Sequence, residues 1–303
     1  MLKNILSVEL CDALNKIPYN SLCELRLRQN NPAVVNVLGE NYYLTNANIS
    51  KSSQNAINIS AGTINTIIQR ICNNSLYTIN DNLIEGYTII KGGIRVGVCG
   101  EVVSNDGKIK TLKNISSLNF RFPHFFKNCS MNVLPYIICG NEVKNTLIIS
   151  PPGSGKTTYL RDIIYQLTNK LRLINILVVD ERQEIMEVFD GNNVVTLENV
   201  DVYKNSSKKF AFNNGIRSMK PDVIITDEIS VDKDIDDIEN ALTSGVKIIA
   251  TIHASSVFDL KSKSQFKRLL DLGLFDRFVV LSSCDGVGTL EGVYNENLIY
   301  LGV

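Results

Sequence analysis

Residues 146–158, Thr-Leu-Ile-Ile-Ser-Pro-Pro-Gly-Ser-Gly-Lys-Thr-Thr, restrict the backbone more than any other stretch of the 303-residue chain. An apolar run of strand length ends at Ser150, two glycines follow with one residue between them, and a segment with helical periodicity begins at Lys156. A strand that turns through glycines into a helix aims successive backbone N–H groups at one point, and the helix N-terminus adds partial positive charge there. Phosphate is the ligand such a turn suits. Pro152, Gly153, Ser154, Gly155, Lys156, Thr157 and Thr158 are therefore the candidate nucleotide-binding residues. Lys156 would reach the β- and γ-phosphates and the Thr157 hydroxyl would bind Mg²⁺. The strict pattern G-x-x-x-x-G-K-[ST] has glycine where this chain has Ser150, at the strand-to-loop junction. A small residue suffices there, because Gly153 and Gly155 are the positions of closest approach to the ligand.

The rest of the second half agrees with that reading. Short apolar segments at 174–179, 223–226, 247–251, 278–281 and 298–301 alternate with helical patterns at about 156–170, 207–219, 233–244 and 262–272. This is the rhythm of a mostly parallel sheet covered by helices. Asp222-Val-Ile-Ile-Thr-Asp-Glu228 is a strand ending in two carboxylates, and parallel sheets put ligand sites at the carboxyl ends of their strands. Asp227 would hold Mg²⁺ and Glu228 would orient and polarise the attacking water. His253 ends a further strand of the same sheet and is the candidate γ-phosphate sensor, while Asp180-Glu-Arg182 ends another and is an accessory candidate. The guanine signature N-K-x-D is missing, which points to adenine and hence to ATP.

Residues 1–127 read as a smaller α+β domain, 128–143 as a linker and 144–303 as the nucleotide-binding domain. In the first domain a helix over 2–16, a strand at 22–28, a hairpin about Gly39-Glu-Asn41 and a helix capped by Ser60 precede a second hairpin about Asn105-Asp-Gly107. Seven scattered cysteines, odd in number and without a C-x-x-C pair, exclude a disulfide framework and a zinc site and fit a reducing cytosol. The 31 basic and 31 acidic side chains balance, so nucleic acid is an improbable partner unless local patches hold it, and no 18-residue apolar run crosses a membrane.

The phosphate loop, the acidic box at Asp180-Glu181, the Arg217-Ser-Met-Lys-Pro-Asp-Val-Ile-Ile-Thr-Asp-Glu228 block, Ala241-Leu-Thr-Ser-Gly245 and His253 follow one another as in the type II and type IV secretion ATPases, which this chain resembles. It resembles the stage III sporulation protein AA family more closely. Glu24-Leu-Arg-Leu-Arg28, Gly92-Gly-Ile-Arg-Val-Gly-Val-Cys-Gly100, Ile115-Ser-Ser-Leu-Asn-Phe-Arg121, Leu160-Arg-Asp162 and Val179-Asp-Glu-Arg-Gln-Glu-Ile185 carry that similarity. The resemblance implies an α/β fold, a RecA-like P-loop NTPase core with a smaller N-terminal α+β domain. It also implies a homo-oligomeric ring, a hexamer, that is cytoplasmic and peripheral to the membrane through a channel protein. Such a ring would hydrolyse ATP to power or assemble the channel between mother cell and forespore. Arg95 and Arg121 match arginines that close over the nucleotide in these motors, and so join Lys156, Asp227, Glu228 and His253 as catalytic candidates. Two other readings stand beside the motor. One is a nucleotide-binding scaffold with little turnover. The other is a helicase-loader-like ATPase using patches at Lys204, Lys208 and Lys209 or at Lys261, Lys263, Lys267 and Arg268.

Overall fold

The computed structural model describes residues 2–73, 86–105, 108–171, 173–186 and 197–303. They divide into two compact units, Met1–His124 and a second that takes in Phe125–Met186 and Val194–Val303.

The first unit is a seven-stranded antiparallel sheet with helices Val8–Leu14 and Ala61–Asn73 contributing to its core. The expected N-terminal helix is interrupted, because Ser7 accepts a hydrogen bond from Leu10 N and starts a new helix there after a 3₁₀ turn at Leu2–Asn4. Ser60 does cap the second helix, accepting from Thr63 N at 3.1 Å, and Ile64, Ile67 and Ile71 bury that helix's apolar face. The first hairpin turns one residue earlier than the sequence suggests. Val37 pairs with Glu40, leaving Leu38-Gly39 as a two-residue loop with φ of 51° and 91°, a mirror-image turn whose twist matches its strands. The centre of the second hairpin, Asp106-Gly107, lies outside the described residues, but its arms Ile94–Asn105 and Lys108–Arg121 pair antiparallel as expected. Leu25, Leu27, Val96, Leu118 and Phe120 point to one side and close the core against the helices.

The second unit is an eight-stranded sheet in the order Val200–Lys204, Ile176–Asp180, Val223–Glu228, Lys247–His253, Thr146–Ser150, Arg277–Ser282, Thr289–Asn295, Tyr300–Gly302. The first six strands are parallel and the last two antiparallel. Three central strands read as near-continuous apolar runs because helices such as Lys156–Lys170, Lys208–Met219 and Val231–Thr243 cover them. Gly215 shows how close that covering is: a Cβ there would stand 2.3 Å from Leu177 Cδ2, so any side chain at this position would force the buried Leu177 to shift.

The stretch expected as a linker over 128–143 instead belongs to the second unit. Ser130, Val133, Leu134 and Ile137 are buried there, and residues 138–143 fold back as a two-stranded ribbon. The cause is Asp162, whose buried carboxylate accepts hydrogen bonds from Asn128 N (2.9 Å), Ser130 N (2.7 Å) and Ser130 Oγ (2.7 Å). Asp162→Ala would orphan two backbone donors, of which that of Ser130 is fully buried. We expect a loss of about 2–4 kcal/mol in urea unfolding, and a variant as stable as the parent would show that Asp162 does not hold this segment.

Candidate active site

The parallel order places the strand Lys247–His253 between the phosphate-loop strand Thr146–Ser150 and the acidic strand Val223–Glu228. His253 is thereby the register partner of Ser150, the last residue before the loop. The loop itself is as the sequence requires: Gly153 and Gly155 adopt φ of 78° and 89°, in the left-handed region where glycine is free of steric cost, and Gly155 opens helix Lys156–Lys170. Ser150 is fully buried, with its hydroxyl donating to Pro151 O at 2.9 Å.

Lys156 is 7% exposed. Its ammonium lies 2.8 Å from His253 Nδ1 and donates to the carbonyls of Ser150 (3.5 Å) and Pro151 (3.4 Å). An ammonium can only donate, so Nδ1 is the acceptor and the ring proton sits on Nε2. That Nε2–H in turn faces Glu228 Oε2 at 3.1 Å, and Arg182 Nη1 lies 3.7 Å from the same oxygen. Lysine, imidazole and carboxylate thus form one chain across three strand ends. Burial holds the Lys156 ammonium below its usual pKa, with Glu228 and Asp227 pulling the other way. Asp227 is largely buried and receives the Thr251 hydroxyl at 3.5 Å, while a register irregularity after Ile225 sets Glu228 opposite Thr251.

Thr157 and Thr158 follow in the first helical turn, Thr157 partly exposed as a ligand-facing residue would be. Ser154 Oγ is buried and has no hydrogen-bond partner, an orphan donor inside a cradle of backbone N–H groups. A phosphate oxygen would satisfy it, and the loop fits a nucleotide on that count. Among the described residues no three His, Cys, Asp or Glu side chains are grouped to hold a metal ion by themselves, so a Mg²⁺ held by Thr157 and Asp227 would draw its other oxygens from phosphate and water.

Arg95 and Arg121 lie in the first unit, as register partners on neighbouring strands; Arg95 stacks 3.6 Å from the Tyr87 ring centroid and Arg121 Nε is 3.5 Å from Glu24. Asp180 is not at the chain of contacts. Its carboxylate, raised in pKa by burial against the pull of backbone donors, accepts from the N–H groups of Glu184, Ile185 and Met186 and so shapes the loop that carries Glu181 and Arg182. Glu181 pairs with buried Lys208 at 2.8 Å, which removes Lys208 from any basic patch; Lys263 and Arg268 are likewise paired, with Asp259 and Asp236. Arg182, from the accessory candidate Asp180-Glu-Arg182, reaches Glu228. One contributor escapes the sequence reading, the turn at Gly286–Gly288 that packs on the phosphate loop: Tyr159 donates to Gly288 O at 3.1 Å, and a Cβ on Gly155 would stand 3.3 Å from Gly288 Cα. The positive-φ glycines 286 and 288 were the signal available for it.

The strand order and the loop define a RecA-like P-loop core. Two solved structures share the fold: the Legionella pneumophila ATPase DotB (TM-score 0.53, 17% identity, 86% of this chain and 72% of that one) and the pilus retraction motor PilT with bound ADP (TM-score 0.56, 15% identity, 89% and 76%). The profile of the family described as "Sporulation stage III, protein AA" matches residues 1–301, and the stage III sporulation protein AA of Bacillus subtilis (strain 168) is 34% identical over 300 residues, 97% of this chain and 94% of that protein. The chain belongs to the stage III sporulation protein AA family.

Proposed function

We propose that the protein is a Mg²⁺-dependent ATPase that works as a homo-oligomeric ring, a hexamer, on the cytoplasmic side of a membrane channel protein during sporulation. The observation that carries this reading is the Lys156–His253–Glu228 chain beside the phosphate loop, because it joins the group that would bind the γ-phosphate to the group that would act on water.

In this reading the N–H groups of Gly153–Thr158 and the Lys156 ammonium hold the triphosphate, and Thr157 and Asp227 would hold Mg²⁺, which would supply neutralising charge. Glu228 orients a water in line with the γ-phosphorus and accepts its proton. The new P–O bond forms as the bond to the β–γ bridging oxygen breaks, and ADP leaves with that electron pair. A γ-phosphate that competes for Lys156 draws it from His253, and the imidazole relays this to Glu228; that is the sensor role His253 takes. A scaffold that only binds nucleotide has no need of this coupling.

The test is ATPase rate against protein concentration, with particle size measured in parallel. We expect turnover per subunit to rise as rings form. Flat, negligible turnover through assembly would favour the scaffold, and stimulation by DNA the loader.

Arg95 and Arg121 act in this reading by spreading charge over the γ-phosphate oxygens, as an arginine from outside the nucleotide core does in ring motors. Arg95→Ala with Arg121→Ala should cut turnover tenfold or more, about 1.4 kcal/mol of barrier, with ATP binding intact. Mixing that protein with Lys156→Ala protein should restore part of the activity if loop and arginine come from different subunits. Full activity in the double variant would move attention to Arg182 and Arg217.

A further inference from the structure

The open face of the first unit's sheet gathers positive charge around a hollow. Strands Leu22–Arg28, Lys108–Arg121 and Ile94–Asn105 pair so that alternate residues form three rows: Glu24, Arg121 and Arg95; then Arg26, Asn119 and Gly97; then Arg28, Ser117 and Cys99. The intervening residues Leu25, Leu27, Leu118, Phe120, Val96 and Val98 are buried on the other side, so these nine share the face away from the core. Four of the nine are arginines and one is a glutamate. Glu24 is already shared, 2.6 Å from Arg26 and 3.5 Å from Arg121, and among the described residues Arg28 has no ion-pair partner.

The second and third rows are small at their far end. Gly97, Cys99 and Ser117 leave a hollow of about 370 Å³, lined also by Arg26, Arg28 and Asn119, within the range of small-molecule sites. Asn119 Oδ1 is buried in this region and accepts no hydrogen bond. A polar strand face accounts for exposed arginines; the buried Asn119 acceptor beside them receives no donor from the protein and is open to one from a molecule in the hollow.

We propose that this hollow binds a small phosphate monoester that carries a hydroxyl or amine donor, with AMP as the probe, independently of the phosphate loop. Arg28 offers its planar N–H fork to the phosphoryl group, Arg26, whose Nε and Nη2 are held by Glu24, adds positive charge beside it, and a hydroxyl or amine of the ligand donates to Asn119 Oδ1. Arg95 and Arg121, in the row above, keep the role given to them in hydrolysis.

Cys99 provides the readout, since it is exposed and lines the hollow, whereas the exposed Cys139 and Cys284 do not. The experiment uses full-length Lys156→Ala protein, so that nucleotide on the phosphate loop does not contribute, and follows iodoacetamide labelling of each cysteine by peptide mass spectrometry at fixed ionic strength. Millimolar AMP should slow Cys99 labelling at least fivefold, leave Cys139 and Cys284 unchanged, and do so more than inorganic phosphate or adenosine. Arg28→Ala, a surface change that leaves the core intact, should remove the protection, and Asn119→Asp, which keeps the shape and adds a negative charge, should weaken it. Equal Cys99 rates with and without AMP overturn the proposal, as does protection that survives Arg28→Ala. Protection by inorganic phosphate as strong as by AMP would overturn the part assigned to Asn119.

Discussion

Lys156→Ala is expected to weaken ATP binding at least a hundredfold, about 2.7 kcal/mol. The loop backbone would survive the change, since Gly153 and Gly155 set its path and the helix that follows is built on Tyr159, Leu160 and Ile163 in the core. What disappears is the Lys156 ammonium at the loop, and a triphosphate there would meet the carboxylates of Asp227 and Glu228 with the N–H dipoles of the loop left to offset them. The variant should also release His253, whose Nδ1 loses its 2.8 Å partner, so the imidazole signals of a ¹⁵N-histidine spectrum should move even without nucleotide. Equilibrium binding of a fluorescent ATP analogue reads the first effect. Unchanged affinity would remove the foundation of the nucleotide reading, whereas lost affinity with an unmoved His253 signal would retain the nucleotide site and discard the relay.

The parts of this site that were legible in the sequence share a cause. The phosphate loop, the acidic pair and His253 each terminate an apolar run, and a parallel sheet puts all such ends on one edge, so type and placement came together. What stayed hidden depended on pairing between segments distant in the chain. Val200–Lys204, with only two apolar alternations and a largely half-buried pattern, is a strand because the edge of Ile176–Asp180 offers it hydrogen bonds, not because its own composition demands it. Thr289–Asn295 is broken in pattern by Gly292, which lets the Tyr300 ring lie close. The segment 128–143 looks like a linker for its Asn, Cys and Pro content, yet the Asp162 carboxylate, an acid in the middle of a helix that otherwise reads as an ordinary core helix, and the burial of Val133, Leu134 and Ile137 draw it in. For Arg182 the sequence marks a strand end and an accessory place at the site, while its partner Glu228 follows from the adjacency of two strands separated by more than forty residues. The rows of arginine on the first unit likewise arise from register across three strands, of which one comes from the start of the chain and two from beyond residue 90.

Glu228→Gln should leave ATP binding near the parental level and reduce hydrolysis by roughly 10²–10⁴-fold, the usual worth of a positioned proton acceptor. The substitution is close to isosteric, and the amide oxygen can still accept the His253 Nε2–H that lies 3.1 Å away, so the Lys156–His253 contact persists. What the amide cannot do is take a proton from water as the P–O bond forms. It also drops the negative charge that pairs with Arg182 at 3.7 Å, a partly exposed contact whose loss costs little by itself. The variant should therefore accumulate with ATP bound and, if nucleotide drives assembly, as rings that do not disperse, which size-exclusion chromatography with light scattering would detect. A Glu228→Gln protein that turns over at the parental rate would place the acceptor elsewhere. Glu181 is then the next carboxylate to change, but its 2.8 Å pair with Lys208 already commits it to a buried cation beside helix Lys208–Met219. Glu181→Gln should accordingly lower stability by leaving Lys208 with only Asp234, 3.9 Å away, and have a smaller effect on the chemical step. A split in which Glu228→Gln acts on kcat with binding unchanged, and Glu181→Gln acts on the unfolding midpoint, separates the group that meets water from the group that holds the sheet to its helix.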